Sequence, residues 1–211
     1  MTDDAERSVE IERKYDVDAE TPLPDWRRLP GVARVGEPER RDLDARYLDT
    51  ADNALGRALV AVRRRTGGPD EGWHIKRATS EGKHETRWPL GAAASDDVDL
   101  PVPDAVAAAL SDIAAPPFQV IARIRNARTA YALLDADDGL VAEFVDDRVT
   151  ATDARRGAVT TWREWELELG PAAPAEPARQ DELFVAADAL VAEAGGSVSP
   201  SGSKLARALG L

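Results

Sequence analysis

Val9-Glu10-Ile11-Glu12-Arg13-Lys14-Tyr15-Asp16-Val17 is the stretch on which the fold turns. Its composition reads as a strand, yet charges stand where a simple strand would place its core face. Side chains alternate along a strand, so Glu10, Glu12 and Lys14 point one way. The same parity groups Arg63 with Arg65, Arg123 with Arg125, and Glu164 with Glu166 and Glu168. Between them stand Val9, Ile11, Ile124, Trp165, Leu167 and Leu169, apolar enough to pack outward beneath helices. One such charged pair is ordinarily a solvated face with cross-strand partners. Four such strands, carrying both signs, favour a barrel whose lumen is polar and filled by opposed charges.

Working outward, residues 22–30 suggest a short helix, 45–50 a strand and 52–57 a helical turn. Strands follow at 58–66, 71–78 and 83–90, joined by Gly67-Gly68-Pro69-Asp70 and Ser80-Glu81-Gly82. Residues 102–113 have helical spacing. Further strands fall at 118–128, 129–135, 140–150 and 157–169, with turns at Asp137-Asp138-Gly139 and Arg155-Arg156-Gly157. A Pro/Ala linker at 171–177 leads to an amphipathic helix at 178–195 and a short one at 203–209. No internal repeat is visible. Eight or nine strands on short turns pair antiparallel, and without edge protection they imply closure. The expected fold is α+β, mainly β: a closed antiparallel barrel over about 8–170, with flanking helices and a helical tail over about 178–209, one domain spanning 1–211.

Composition narrows the chemistry. The 211 residues are 43% apolar and 31% charged, as in soluble globular proteins. No apolar run approaches the roughly 18–20 residues of a membrane span, and the acidic start, MTDDAERS, resembles no signal peptide, so a cytoplasmic location is expected. Zero cysteines exclude a thiolate nucleophile, disulfides and a Cys-based zinc site, and two histidines exclude a His-rich metal centre. A metal must therefore sit on carboxylates, which suits Mg²⁺ or Mn²⁺. The net charge of −12 argues against nucleic-acid and anionic-membrane partners, though an acidic shell can enclose a cationic cluster. Of 27 basic residues only Lys14, Lys76, Lys83 and Lys204 are lysines, compact point charges suited to a crowded pocket. Clustered carboxylates call for a divalent cation and opposing cations for a polyanion, which together describe a site for a phosphate chain. His74 reads as a partly exposed strand residue, His84 as surface, and the five tryptophans as packing residues.

Glu10-Ile11-Glu12-Arg13-Lys14 resembles the E-x-E-x-K signature of the CYTH superfamily, the triphosphate tunnel metalloenzymes. The family's other segments follow in order. Tyr47-Leu48-Asp49-Thr50 resembles Y-x-D-T, Val62-Arg63-Arg64-Arg65 the L-R-x-R strand, and Trp73-His74-Ile75-Lys76 the W-x-L-K strand. Glu85-Thr86-Arg87, Arg128-Thr129-Ala130-Tyr131, Ala142-Glu143-Phe144-Val145-Asp146, Trp165-Glu166-Leu167-Glu168 and Ser203-Lys204 resemble the remaining ones, so the likeness spans about residues 8–209. It implies an eight-stranded antiparallel tunnel. It implies metal on Glu10, Glu12, Asp146, Glu166 and Glu168, and phosphate on Lys14, Arg63, Arg65, Lys76, Arg128 and Lys204, with Arg87, Arg123 and Arg125 as second-tier candidates. Arg128 rests on the motif and Arg125 on parity, since the two face opposite ways. Asp146 and Glu143 also differ in parity, and the motif favours Asp146.

The activity implied is Mg²⁺- or Mn²⁺-dependent hydrolysis of a phosphoanhydride, with Glu10, Glu12, Lys14, Glu166 and Glu168 at the reacting centre and inorganic triphosphate as favoured substrate. Thiamine or nucleoside triphosphates, and a non-catalytic polyphosphate-binding module, are the alternatives. A cyclase is disfavoured because Arg7-Ser8-Val9 stands where cyclase members carry His-Phe. The expected partner is a small triphosphate or polyphosphate, and the expected state a monomer or homodimer.

Overall fold

The structure, a computed structural model, describes residues 5–79, 82–91 and 100–211. Its strands are β1 (Glu6–Glu10), β2 (Glu12–Val17), β3 (Arg34–Val35), β4 (Glu39–Asp49), β5 (Val60–Thr66), β6 (Gly72–Thr79), β7 (Gly82–Trp88), β8 (Gln119–Leu134), β9 (Leu140–Asp153), β10 (Val159–Leu169) and β11 (Ser197–Val198). The helices are α1 (Ala54–Arg57), α2 (Asp104–Ala108), α3 (Pro177–Ala194) and α4 (Lys204–Leu209), with a 3-10 turn at Trp26–Arg28. All strand pairs are antiparallel, in the order β1-β7-β6-β5-β4-β8-β9-β10-β2-β11, with β3 beside β8.

The N-terminal strand is interrupted at Ile11: β1 pairs with β7, and β2 pairs with β10. The chain thus crosses from one end of the strand order almost to the other through one residue, and the sheet curls. The expectation of two strands at 118–128 and 129–135 is corrected. They form one 16-residue strand, β8, because Arg128-Thr129 contains no turn residue. The helix expected over 102–113 is regular only through α2 and continues as turns. Ser80 and Glu81 of the expected turn lie outside the described residues.

Alternation sorts the side chains. On the outer face of β2, β9 and β10, Tyr15, Phe144, Trp165 and Leu167 pack against Leu183, Phe184, Leu190 and Val191 of α3. With Ala187 these α3 residues follow one another at steps of one, three, three and one, which builds the stripe, Pro177 opens the helix, and Gly195 at φ 98° closes it. Each buried apolar side chain there contributes about 1.5–3 kcal/mol. A second outer cluster joins Val62, Trp73, Ile75 and Trp88 to Val106 and Leu110 beside α2. A third lies on the inner face, where Ala45, Tyr47, Ile124 and Val149 receive Ala208, Leu205 and Leu209 of α4. Glycine is required at Gly67, at φ 79°, since a Cβ there would meet the Asp42 carbonyl oxygen at 2.0 Å.

Candidate functional site

The charged face of the curled sheet encloses a cavity of about 110 Å³. Its walls include Glu10, Glu12, Lys14, Arg63, Arg65, Lys76, Arg128, Glu166, Glu168 and Lys204, ten of the residues singled out from sequence. A larger cleft, about 470 Å³, lies outside between Trp26, Tyr131 and Phe144, but its charged residues Asp25, Arg27 and Arg34 are exposed. The opposed buried charges are in the smaller cavity.

Antiparallel register brings them together. Glu166 faces Lys14 and Glu168 faces Glu12 across β10 and β2. Lys14 Nζ contacts Glu166 and lies 3.2 Å from Glu12. Lys76 donates to Glu10 at 2.5 and 2.7 Å, and Lys83 to Glu12 at 2.5 Å. Arg128 donates to Asp147 at 2.8 and 2.7 Å and to Glu166 at 2.8 Å. The Lys204 ammonium sits 2.9, 2.6 and 2.7 Å from Asp147, Glu164 and Glu166. Its position follows from local sequence: the Ser203 hydroxyl caps α4 by accepting from the Ala206 N–H at 3.0 Å, so Lys204 opens the helix with its stem over the cavity.

Other sequence-derived candidates fall elsewhere. Asp146 lies on the outer face, clamped by Arg163 at 2.7 and 3.0 Å and by Trp165 Nε1 at 3.1 Å. The carboxylate facing Arg128 is Asp147, one residue on, because register rather than motif order decides the face. Arg125 is exposed, with the parity opposite to Arg128. Arg87 shares the inner parity but lies toward the end of β7, where it pairs with Glu6 and does not line the cavity.

Several inner residues escaped sequence reading. Lys83 lines the cavity, so all four lysines do. Glu85, also inward, lies 3.4 Å from Lys76, 3.8 Å from Arg63 and 2.8 Å from His74 Nδ1. His74, expected to be partly exposed, is fully buried, with Nε2 3.0 Å from the Asp70 carbonyl. Burial pushes its imidazolium down to about 3, against the opposing pull of the Glu85 carboxylate. Glu143, left aside for Asp146, faces inward and pairs with Arg41 at 3.1 Å. Parity carried forward from Arg87 reaches Lys83 and Glu85; nothing in the sequence alone reveals the Arg128–Asp147 register. Asp49 of the Tyr47-to-Thr50 segment has a structural task, accepting from the Leu55 and Gly56 N–H groups at 2.9 and 3.0 Å, while Tyr47 accepts from Arg63 at 3.2 Å.

Each sign is crowded with itself. Burial, then Arg63 and Arg128, press the Arg65 guanidinium down to about 9. Burial, then Lys204, press Lys14 down to about 7. Burial, then Glu10 and Glu12, push the Glu168 carboxyl up to about 7. An anion would relieve the cations and a cation the carboxylates. Arg63 and Arg65 each keep a buried Nε–H without an acceptor. Asp147, Glu164 and Glu166, all buried, offer oxygens within 4.8 Å of one another, a hard donor set that fits a divalent cation.

The chain resembles solved structures along nearly its whole length. A candidate adenylate cyclase of Bacillus halodurans matches with a TM-score of 0.60 and 19% identity, over 95% of this chain and 97% of that one. HpAC1 of Hippeastrum, a candidate adenylyl cyclase with a dominant triphosphatase activity, matches at 0.53 and 18%, over 95% of both chains. These likenesses establish the fold. Two uncharacterized Mycobacterium tuberculosis proteins, MT2285 and Rv2226, are 37% identical over 97% of this chain, which spans 40% of their length. The CYTH domain model matches residues 8–208, and the chain belongs to the CYTH domain family.

Proposed function

We propose that this chain is a metal-dependent triphosphatase acting inside a closed eight-stranded tunnel, in one domain. The N-terminal strand, counted once, and β4 to β10 make eight, with β1 at one end of the strand order and β2 next to β11 at the other. The observation that carries the activity is the like-charge crowding of buried cations beside buried carboxylates. The tunnel cations, Lys14, Lys76, Arg63, Arg65, Arg128 and Lys204, would hold the phosphate chain by charge-assisted hydrogen bonds. Asp147, Glu164 and Glu166, with Glu10, Glu12 and Glu168 nearby, would hold Mg²⁺ or Mn²⁺. Such an ion supplies Lewis-acid polarisation of phosphoryl oxygens and neutralises developing charge.

The chain's residues perform the rest. The arginines fix the terminal phosphoryl in line for attack and stabilise charge on its oxygens. A carboxylate of β10 orients the attacking water and receives a proton. The water oxygen bonds to the terminal phosphorus, the bridging P–O bond breaks, and its electron pair leaves with pyrophosphate. Inorganic triphosphate is the favoured substrate. Among the described residues the cavity walls carry Tyr47 as their one aromatic side chain, its hydroxyl accepting from Arg63, which favours a bare phosphate chain over a base or thiazole ring. The triphosphatase activity of HpAC1, at the same fold, supports the reaction class.

The test is phosphate release from tripolyphosphate, ATP, pyrophosphate and thiamine triphosphate with Mg²⁺ or Mn²⁺, beside a Glu10→Gln/Glu12→Gln variant. Release from tripolyphosphate far above ATP, abolished in the variant, supports the proposal. Tight tripolyphosphate binding without release overturns it and makes the chain a binding module.

A further inference from the structure

Lys204, on the cavity wall, stands where the carboxylates of Asp147, Glu164 and Glu166 converge. Its ammonium contacts Asp147 Oδ2, Glu164 Oε1 and Glu166 Oε1, all within 2.9 Å. The other partners of the triad are unequally shared. Arg128 serves Asp147 and Glu166, and Lys14 serves Glu166. Glu164 Oε1 is different. The residue is 5% exposed, this oxygen accepts no hydrogen bond, and its 2.6 Å contact with Lys204 is an ion pair off the hydrogen-bond direction. Its other oxygen accepts from Trp162 Nε1 and lies 3.9 Å from Arg207. A buried carboxylate oxygen held by charge alone is a cation site that the chain fills with its own side chain.

Two cations cannot share that point. A hard divalent ion needs oxygens at roughly 2.0–2.6 Å, so it would take the position the ammonium holds, and repulsion forbids a close second charge. The backbone of Lys204 is held by the Ser203 cap and by Leu205, Ala208 and Leu209 packed on the inner face. The lysine's rotatable methylenes leave the ammonium free to turn, and Ser203 and Lys204 themselves line the cavity.

Building on the metal reading above, we infer that Lys204 is an internal competitor for the cation site. In the ligand-free protein its ammonium neutralises the Asp147–Glu164–Glu166 triad; it leaves the triad when a divalent cation enters, and then serves phosphate. Metal and phosphate therefore bind cooperatively, each removing the other's obstacle. This coupling lies in the protein, and so goes beyond the association of the two ions in solution. By reciprocity, phosphate tightens metal binding as much as metal tightens phosphate binding.

The experiment uses Mn²⁺ alone, read by electron paramagnetic resonance, then Mn²⁺ with inorganic phosphate, corrected for their association without protein. In the unaltered chain phosphate should tighten Mn²⁺ binding by about tenfold, the middle of the usual coupling range. Lys204→Gln should bind Mn²⁺ alone more tightly than the unaltered chain, bind phosphate more weakly, and lose most of the coupling. A purely phosphate-binding lysine would give only the second effect. Equal Mn²⁺ affinity in both proteins overturns the competitor role while leaving the triphosphatase reading intact. Absence of coupling in the unaltered chain overturns it even if the variant fails to fold. Failure of Mn²⁺ to bind either protein, together with no hydrolysis, overturns both readings.

Discussion

Arg128 and Asp147 face each other across β8 and β9, joined by two hydrogen bonds of 2.8 and 2.7 Å. Asp147 is fully buried, and the same carboxylate also receives Lys204.

Removing Asp147 leaves two buried cations without that partner. Asp147→Ala should destabilise the fold by about 3–5 kcal/mol, the range for breaking a buried pair from one side. Asp146→Ala should also destabilise, since it frees Arg163 and Trp165, but should leave Mn²⁺ affinity unaltered. Urea unfolding and metal titration on both variants separate the two neighbours. Loss of Mn²⁺ binding in Asp146→Ala alone would return the site to the position favoured by the motif.

Arg63 and Arg65 hold buried donors toward the cavity, whereas Arg87 and Arg125 stand outside it. Arg63→Ala or Arg65→Ala should weaken tripolyphosphate binding by roughly 10- to 100-fold, the worth of a charged hydrogen bond. Arg87→Ala and Arg125→Ala should change it by about twofold or less, as for charges in contact with solvent outside the cavity. Calorimetric titration at fixed ionic strength measures all four, and equal losses across them would refute the assignment of faces.

Glu85 carries a pH dependence. Burial alone would raise its carboxyl, but the hydrogen bond from His74 and the charges of Lys76 and Arg63 outweigh burial and hold it well below the ordinary 4.5. A group depressed on folding stabilises above its unfolded value and loses that contribution as pH falls. The unaltered chain should therefore lose stability below about pH 4.5, more steeply than Glu85→Gln. Urea midpoints at a series of pH values test this, and parallel curves would contradict it.

Phe184 of α3 is 4% exposed and lies under the Arg13 guanidinium, 4.7 Å from its ring centre. Phe184→Ala should cost about 3–5 kcal/mol. Because α3 packs on the outer face, tripolyphosphate affinity of the folded variant should be unaltered; a matching fall in affinity would show that this packing also shapes the lumen.

Much of this arrangement was legible because a strand's two-residue period turns charge spacing into direction. Glu10 with Glu12 and Lys14, Arg63 with Arg65, and Glu166 with Glu168 could each be grouped on one face of their strand from numbering, while the same rule grouped Arg123 with Arg125, and Arg125 is exposed outside the cavity. What the sequence hid is relational. Asp146 and Asp147 are adjacent and chemically alike, and only the pairing of β9 with β8 and β10 decides which points inward. The continuity of β8 was hidden for the same reason, since Arg128-Thr129 carries no local signal either way. His74 was misjudged because its burial depends on Glu85 and Asp70, residues on other segments.

The break at Ile11 has a consequence for synthesis. The strand broken at Ile11 is paired on one side by β7 and on the other by β10, whose last residue is Leu169. Its second seam must wait for some 150 further residues, a contact of long sequence separation and slow formation. Through that interval the strand is an open edge, the kind that recruits other chains. Charges on an edge make it a poorer template for a neighbour, so Glu10, Glu12 and Lys14, which line the finished site, are also the kind of residue that blunts an open edge.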